Sequence, residues 1–222
     1  VARGHLREAE TVLRQGAAVQ DRQMARGDRY PGLGLHWLLG LVRLTQGDPV
    51  EALAEFDREL RLANPNRLYG REYQMSALQA RGMCLLEMRK PSEAIAALHE
   101  GLAIYPDHAQ THIALMMAFR ATGLADEERS TRQKLGAIVH TLTIARPIEA
   151  RLVQSQMLAS DGKAMQATEL LGRLLDTAPP GFAAWTLPVD RVFRQLQETK
   201  DFTDVARRVP ECAGEQPITI QR

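Results

Sequence analysis

Apolar residues recur at helical spacing along nearly the whole chain, and the two-residue alternation of a half-buried strand is absent. Leu6, Ala9, Val12, Leu13, Ala17 and Val19 predict an amphipathic helix over about residues 4–25, closed by Asp28-Arg29-Tyr30-Pro31-Gly32. A second helix is expected over about 33–45. Gln46-Gly47-Asp48-Pro49 then forms a turn in which Gly47 can take a positive φ, Asp48 can cap the next helix and Pro49 fits its first turn. The third helix carries Leu53, Phe56, Leu60 and Leu62 and stops at Asn64-Pro65-Asn66. Further helices are predicted over about 68–88, 91–104, 108–122, 125–140, 147–160 and 163–177, with two shorter ones at 190–199 and 201–208 and a polar tail over 210–222. The fold class is therefore all-α.

The helices come in pairs that repeat. Gly40 and Gly82, Ala52 and Ala94, and Phe56 and Leu98 are each 42 residues apart, and Ala9 precedes Ala52 by 43. Small residues at fixed places let neighbouring helices approach, and the large apolar ones fill the gaps between them. Ala77-Leu78-Gln79-Ala80-Arg81-Gly82-Met83-Cys84-Leu85-Leu86, then Ser92-Glu93-Ala94-Ile95-Ala96-Ala97-Leu98 and Tyr105-Pro106, resemble the first helix, second helix and closing proline of a tetratricopeptide repeat. Residues 37–65 match nearly as well through Leu39-Gly40, Gly47-Asp48 and Glu51-Ala52, whereas 109–140 and 148–179 are degenerate, with Glu128 at the alanine position and Ser155 at the glycine position. A step of 42 exceeds the family's length of about 34 and implies helices longer by a turn or two.

The resemblance implies a right-handed superhelical solenoid of antiparallel helix pairs: about nine repeat helices over 1–209, with a half repeat at the start, four full repeats and a C-terminal cap over 182–209. Trp185 and Phe193 are expected to fill the last repeat's exposed face. Because Leu6-Arg7-Glu8-Ala9 fits a second helix, a preceding first helix is expected in a longer protein. Such long repeats resemble those of sensor arrays in large bacterial regulators, including LuxR-type activators.

In this family the first helices line the concave face. The matching positions here are Trp37, Leu41 and Leu44, then Gln79, Met83 and Leu86, then Ile113, Met117 and Arg120. That lining is apolar enough to anchor a peptide or partner domain. The competing expectation is that these side chains pack against neighbouring helices or a second copy of the chain. The family's chaperone-tail clamp needs Lys and Asn on this face, and Trp37 and Leu41 stand there instead. The leading function is thus a protein-interaction scaffold or sensing module. The alternative is a small-ligand sensor segment of a multidomain bacterial regulator.

Charge narrows the partners. Lys plus Arg number 28 against 27 Asp plus Glu, a net charge of +1, so a nucleic-acid partner is not expected. No apolar run is long enough to span a membrane. Cys84 lies in an apolar helix and Cys212 in a polar tail; both fit free thiols in a reducing, cytoplasmic setting. No metal, cofactor or catalytic set is expected. His108 and His112 are four apart but lack a convincing third ligand, and packing or capping is the simpler role. Arg67, Tyr69-Gly70, Arg71 and Glu72 form a polar cluster that suits helix capping, or contact with an adjacent domain. Arg129, Arg132 and Lys134 alternate with Asp126, Glu127 and Glu128 as a solvated helix surface.

Overall fold

The computed structural model describes residues 1, 4–177, 184–197 and 199–209, without the side chains of 184 and 185. Among them are ten α-helices: α1 Leu6–Arg26, α2 Leu35–Thr45, α3 Pro49–Leu62, α4 Gly70–Glu87, α5 Pro91–Ile104, α6 Ala109–Thr122, α7 Ala125–Ala145, α8 Pro147–Ser160, α9 Ala164–Thr177 and α10 Lys200–Ala206. No helix among the described residues is long and apolar enough to cross a membrane. The described chain falls into two compact units, Leu6–Thr141 and a second made of Val1–His5 with Leu142–Arg222.

In the first unit each helix from α1 to α6 packs on its sequence neighbour, and α2 also touches α4 as α4 touches α6. This sequential, antiparallel-like packing is consistent with a helical repeat. The matched glycines explain how the helices come so close. A Cβ on Gly40 would overlap the Phe56 ring, and one on Gly82 would lie 2.6 Å from Leu98. Phe56, Leu98, Ala52 and Ala94 are all fully buried. The same crossing is therefore built twice from different side chains.

The helix ends repeat too. Gly47, Arg89, Gly123 and Gly162 each follow a helix at positive φ, at intervals of 42, 34 and 39 residues. At each, the N–H of that residue and of the next return to carbonyls of the last turn, as in Gly47 N to Leu44 O and Arg89 N to Leu86 O. Arg89 adopts φ 58 where the preceding repeat has glycine. The long interval has a local origin. α4 has 18 residues against 11 in α2 and 14 in α6, so the extra turns expected of the helices in general are concentrated in α4.

In the second unit α8 packs on α9, α10 packs on α9, and a 3-10 turn at Arg191–Phe193 packs on α8. Phe193 and Phe202 are buried with ring centroids 5.6 Å apart. The expected helix at 190–199 is replaced by 3-10 turns at Ala184–Val189 and Arg191–Phe193. Pro188 removes a backbone donor there, and the Asp190 carboxylate takes the Val192 N–H at 3.0 Å, which fixes a tight turn in place of a longer helix. The same carboxylate accepts from Gln156 Nε2 at 2.7 Å, while burial pushes its pKa up against those two hydrogen bonds. The Trp185 side chain, the Pro179-Pro180-Gly181 break, Cys212 and the tail over 210–222 lie outside the described residues. α7 runs to Ala145, beyond the expected 140, because no breaker intervenes before Pro147 and Leu142 finds a buried place.

Candidate functional site

The nine residues matched to a concave face sit on α2, α4 and α6, of which α4 touches the other two. Leu41, Leu44, Met83 and Ile113 are buried and contribute interior packing. Trp37, Gln79, Leu86 and Met117 are half-buried, and Arg120 is exposed. Trp37 packs its ring against Tyr73 of α4, with centroids 6.1 Å apart and planes tilted by 59°. Arg120 reaches Glu128 of α7 at 2.7 Å, and Glu128 also meets Arg132 at 3.3 Å. Those guanidiniums lower the Glu128 pKa. Arg129 pairs with Asp126 at 2.7 Å on the same exposed helix surface.

A buried polar assembly at the start of α2 has no precursor in the sequence reading. Gly34 precedes α2 at φ 82 and cannot cap it with a side chain. The cap comes instead from a distance. The fully buried Glu59 carboxylate of α3 accepts the N–H groups of Gly34 at 2.8 Å, His36 at 3.1 Å and Trp37 at 3.3 Å. Gln20 of α1, also fully buried, donates to both Glu59 oxygens at 3.1 and 3.2 Å and accepts the Leu35 N–H at 3.1 Å. One Glu and one Gln thus take up the N–H groups of four consecutive residues, and a negative charge stands at the positive end of the helix.

His36 extends the assembly. Its Nδ1 donates to Glu55 Oε2 at 2.5 Å and its Nε2 to Asp21 Oδ1 at 3.2 Å. Carboxylates only accept, so both ring nitrogens carry protons and the side chain is an imidazolium. Burial opposes the charge, but the two carboxylates outweigh it and the pKa is raised above 6.5. Arg43 meets Glu55 at 2.8 Å and Arg58 meets Asp21 at 2.7 Å, which ties α1, α2 and α3 together. Glu59 reads as one more surface acid in the sequence. A usable signal is its place in the repeat: 42 residues on, the matching position is Gly101.

The other sequence candidates resolve into structural roles. His108 caps α6, its Nδ1 accepting the Thr111 N–H at 3.3 Å and facing Thr111 Oγ1 at 2.8 Å. Burial, and then the neighbouring His112, lower its pKa to about 4. His112 is buried, with Nε2 donating to the Pro106 carbonyl at 2.8 Å. Cys84 is fully buried with Sγ 3.2 Å from the Pro49 carbonyl. Arg71 donates to the Ile104 carbonyl at 3.0 Å and lies over the Tyr105 ring, whose hydroxyl donates to Glu72 at 3.0 Å. Among the described residues no three His, Cys, Asp or Glu side chains converge on a metal position.

A surface cleft of about 190 Å³ opens between the α1–α2 and α3–α4 loops. Arg29, Tyr30, Pro31 and Leu33 line it from one loop, and Arg67, Leu68 and Tyr69 from the other, with Tyr73 of α4 completing the wall. No model of a known protein family matches the chain, and comparison with curated proteins finds no match either.

Proposed function

We propose that the chain is a tetratricopeptide-like binding module that receives a peptide or partner domain on the face carried by α2, α4 and α6. The observation that carries this is the contact of α2 with α4 and of α4 with α6, beyond the pairing of sequence neighbours. Stacking of every second helix is what a right-handed solenoid requires. It sets Trp37, Gln79, Leu86, Met117 and Arg120 on successive members of one row, with part of each side chain still accessible. Partly sheltered Trp, Leu and Met side chains are effective anchors, because docking buries the rest of their surface at little further ordering cost. Its setting would be a sensing or scaffold segment of a larger regulator.

Photocrosslinking from Gln79 and Met117, in the cell extract the protein comes from, tests the assignment, with Val50 and Met165 as exposed controls. Adducts formed only from the first pair, and lost in Leu86→Ala and Met117→Ala variants of unchanged helicity, are expected. Equal crosslinking from the controls, or none from the row, rejects it. Sedimentation of the same variants separates a foreign partner from a second copy of the chain.

A further inference from the structure

We propose that the cleft between residues 27–34 and 63–69 is a second binding site, specific for an acidic peptide segment. It would hold a Glu or Asp side chain against Arg29 and Arg67 and lay flanking apolar residues on Tyr30, Leu68 and Tyr69. The charge comes first. Among the described residues neither guanidinium is paired with a carboxylate: Arg29 lies over the Tyr30 ring at 5.2 Å, and Arg67 contacts Met24 Sδ and the Asp28 carbonyl at 3.4 Å each. Elsewhere in the same unit Arg43, Arg58, Arg81, Arg120, Arg129 and Arg132 have acidic partners, whereas Arg71, like these two, meets a carbonyl and a ring; what sets Arg29 and Arg67 apart is that both line one cleft. Glu59, whose charge is felt at Tyr73 on the cleft wall, is already engaged by Gln20 and the start of α2.

Size and surroundings choose between ligand classes. A volume of about 190 Å³ falls below the roughly 300–1,000 Å³ of small-molecule sites and suits one anchoring side chain. The rim is apolar and open, with Tyr30, Leu68 and Tyr69 exposed by 68%, 66% and 60%. Rings beside arginines accept both the methylenes and the carboxylate of an acidic side chain.

The walls are also preformed. Asn64 Oδ1 accepts the Asn66 N–H at 2.9 Å, Arg67 N–H returns to the Asn64 carbonyl at 2.9 Å, and Gly70 N–H to the Arg67 carbonyl at 2.9 Å. A Cβ on Gly70 would collide with the Asn64 carbonyl, so this loop has one way to close. Tyr69 holds φ 60, an unusual conformation for a residue with a side chain. On the facing loop Gln23 accepts the Gly32 N–H at 2.7 Å.

Fluorescence anisotropy with the amidated peptide Ser-Glu-Leu-Glu-Phe-Ser, against Ser-Gln-Leu-Gln-Phe-Ser, tests the site in the whole chain. The acidic peptide is expected to bind about tenfold more tightly, with the preference shrinking as salt rises. Arg29→Gln and Arg67→Gln should each weaken it about threefold, the double variant should remove the preference, and Leu86→Ala and Met117→Ala should leave it unchanged. Equal binding of both peptides, binding of neither at millimolar protein, or retention of the preference in the double variant overturns the proposal. Loss of binding in the Leu86 and Met117 variants alone also overturns it while leaving the helix row as the docking face. Should Arg67→Gln fail to fold, Arg29→Gln decides, since that side chain is exposed and lies over the Tyr30 ring.

Discussion

The starts of α2 and α4 solve the same problem in opposite ways. Both helices carry a glycine that admits a bulky partner, Phe56 for Gly40 and Leu98 for Gly82, so their middles are equivalent. Their first turns are not. α4 starts at Gly70, seven positions before Ala77, the residue that the 42-residue spacing matches to Leu35 at the start of α2. Where α4 continues for two more turns, its neighbour α5 has Gly101, where a Cβ would already be in contact with Leu78 at 3.5 Å and with the Met75 carbonyl at 4.0 Å. Where α2 stops short, α3 fills the vacated space with Glu59 and α1 adds Gln20. Helix length and the residue at one position of the adjacent helix are thus matched: a small residue for a helix that runs on, a buried carboxylate for one that ends.

The most damaging way to break this match is Glu59→Ala. It leaves the Gly34, His36 and Trp37 N–H groups and one Gln20 donor in a dry site, and the expected loss is about 3–5 kcal/mol in urea unfolding. Glu59→Gln should lose clearly less, because it keeps an acceptor while giving up the charge. A loss below about 1 kcal/mol for the alanine variant means that water substitutes for the cap, and the proposed match fails.

Next in size, Gly40→Ala and Gly82→Ala probe the part of the two repeats that is alike. Each should cost about 1–3 kcal/mol by overpacking. Combining Gly82→Ala with Leu98→Ala should cost less than the sum of the single changes, since the shortened side chain vacates the colliding volume. Strict additivity would show that the two residues are not in contact.

The smallest effect concerns pH and contrasts two helix starts. His36 has a raised pKa, so its contribution to stability is complete below about pH 6.5 and is lost as pH rises through the folded value. His108 has a pKa lowered to about 4, so the folded state prefers it neutral, and stability falls as pH drops from about 6.5 toward 4. His36→Gln should therefore flatten the alkaline side of the stability profile and His108→Gln the acid side. Thermal melts between pH 4 and 8 that give both variants the wild-type profile would contradict the assigned protonation states.

Much of the fold was legible because helix signals are local. Gly47-Asp48-Pro49, Asn64-Pro65-Asn66 and Tyr105-Pro106 mark helix ends within a residue or two, and the glycine–large-residue pairs foreshadow the helix crossings. The break between α4 and α5 was legible from Pro91, but the positive φ at Arg89 was not, because Arg89 takes glycine's conformation without being glycine. The network around Glu59 was not legible, since its partners lie 22 to 39 residues away and Gln20 and Glu59 look like ordinary surface residues in their own helices. Of the nine residues that the family resemblance matched to a concave face, four fill the interior, so the resemblance did not separate the packed side of these helices from the accessible side. The cleft escaped notice for a similar reason: Arg29-Tyr30-Pro31 reads as a break between helices, and only the approach of the 63–69 loop turns it into a wall.

A helix that packs mainly on one neighbour, as α1 packs on α2, is ordinarily held loosely and free to peel away at small cost. Here α1 inserts Gln20 between α3 and the origin of α2, so detaching it would strip a hydrogen-bonding partner from a charge that has no access to solvent. Detachment of α1 is thereby coupled to loss of the neighbouring turn. The expected consequence is that α1, α2 and α3 exchange their amide hydrogens as one cooperative block.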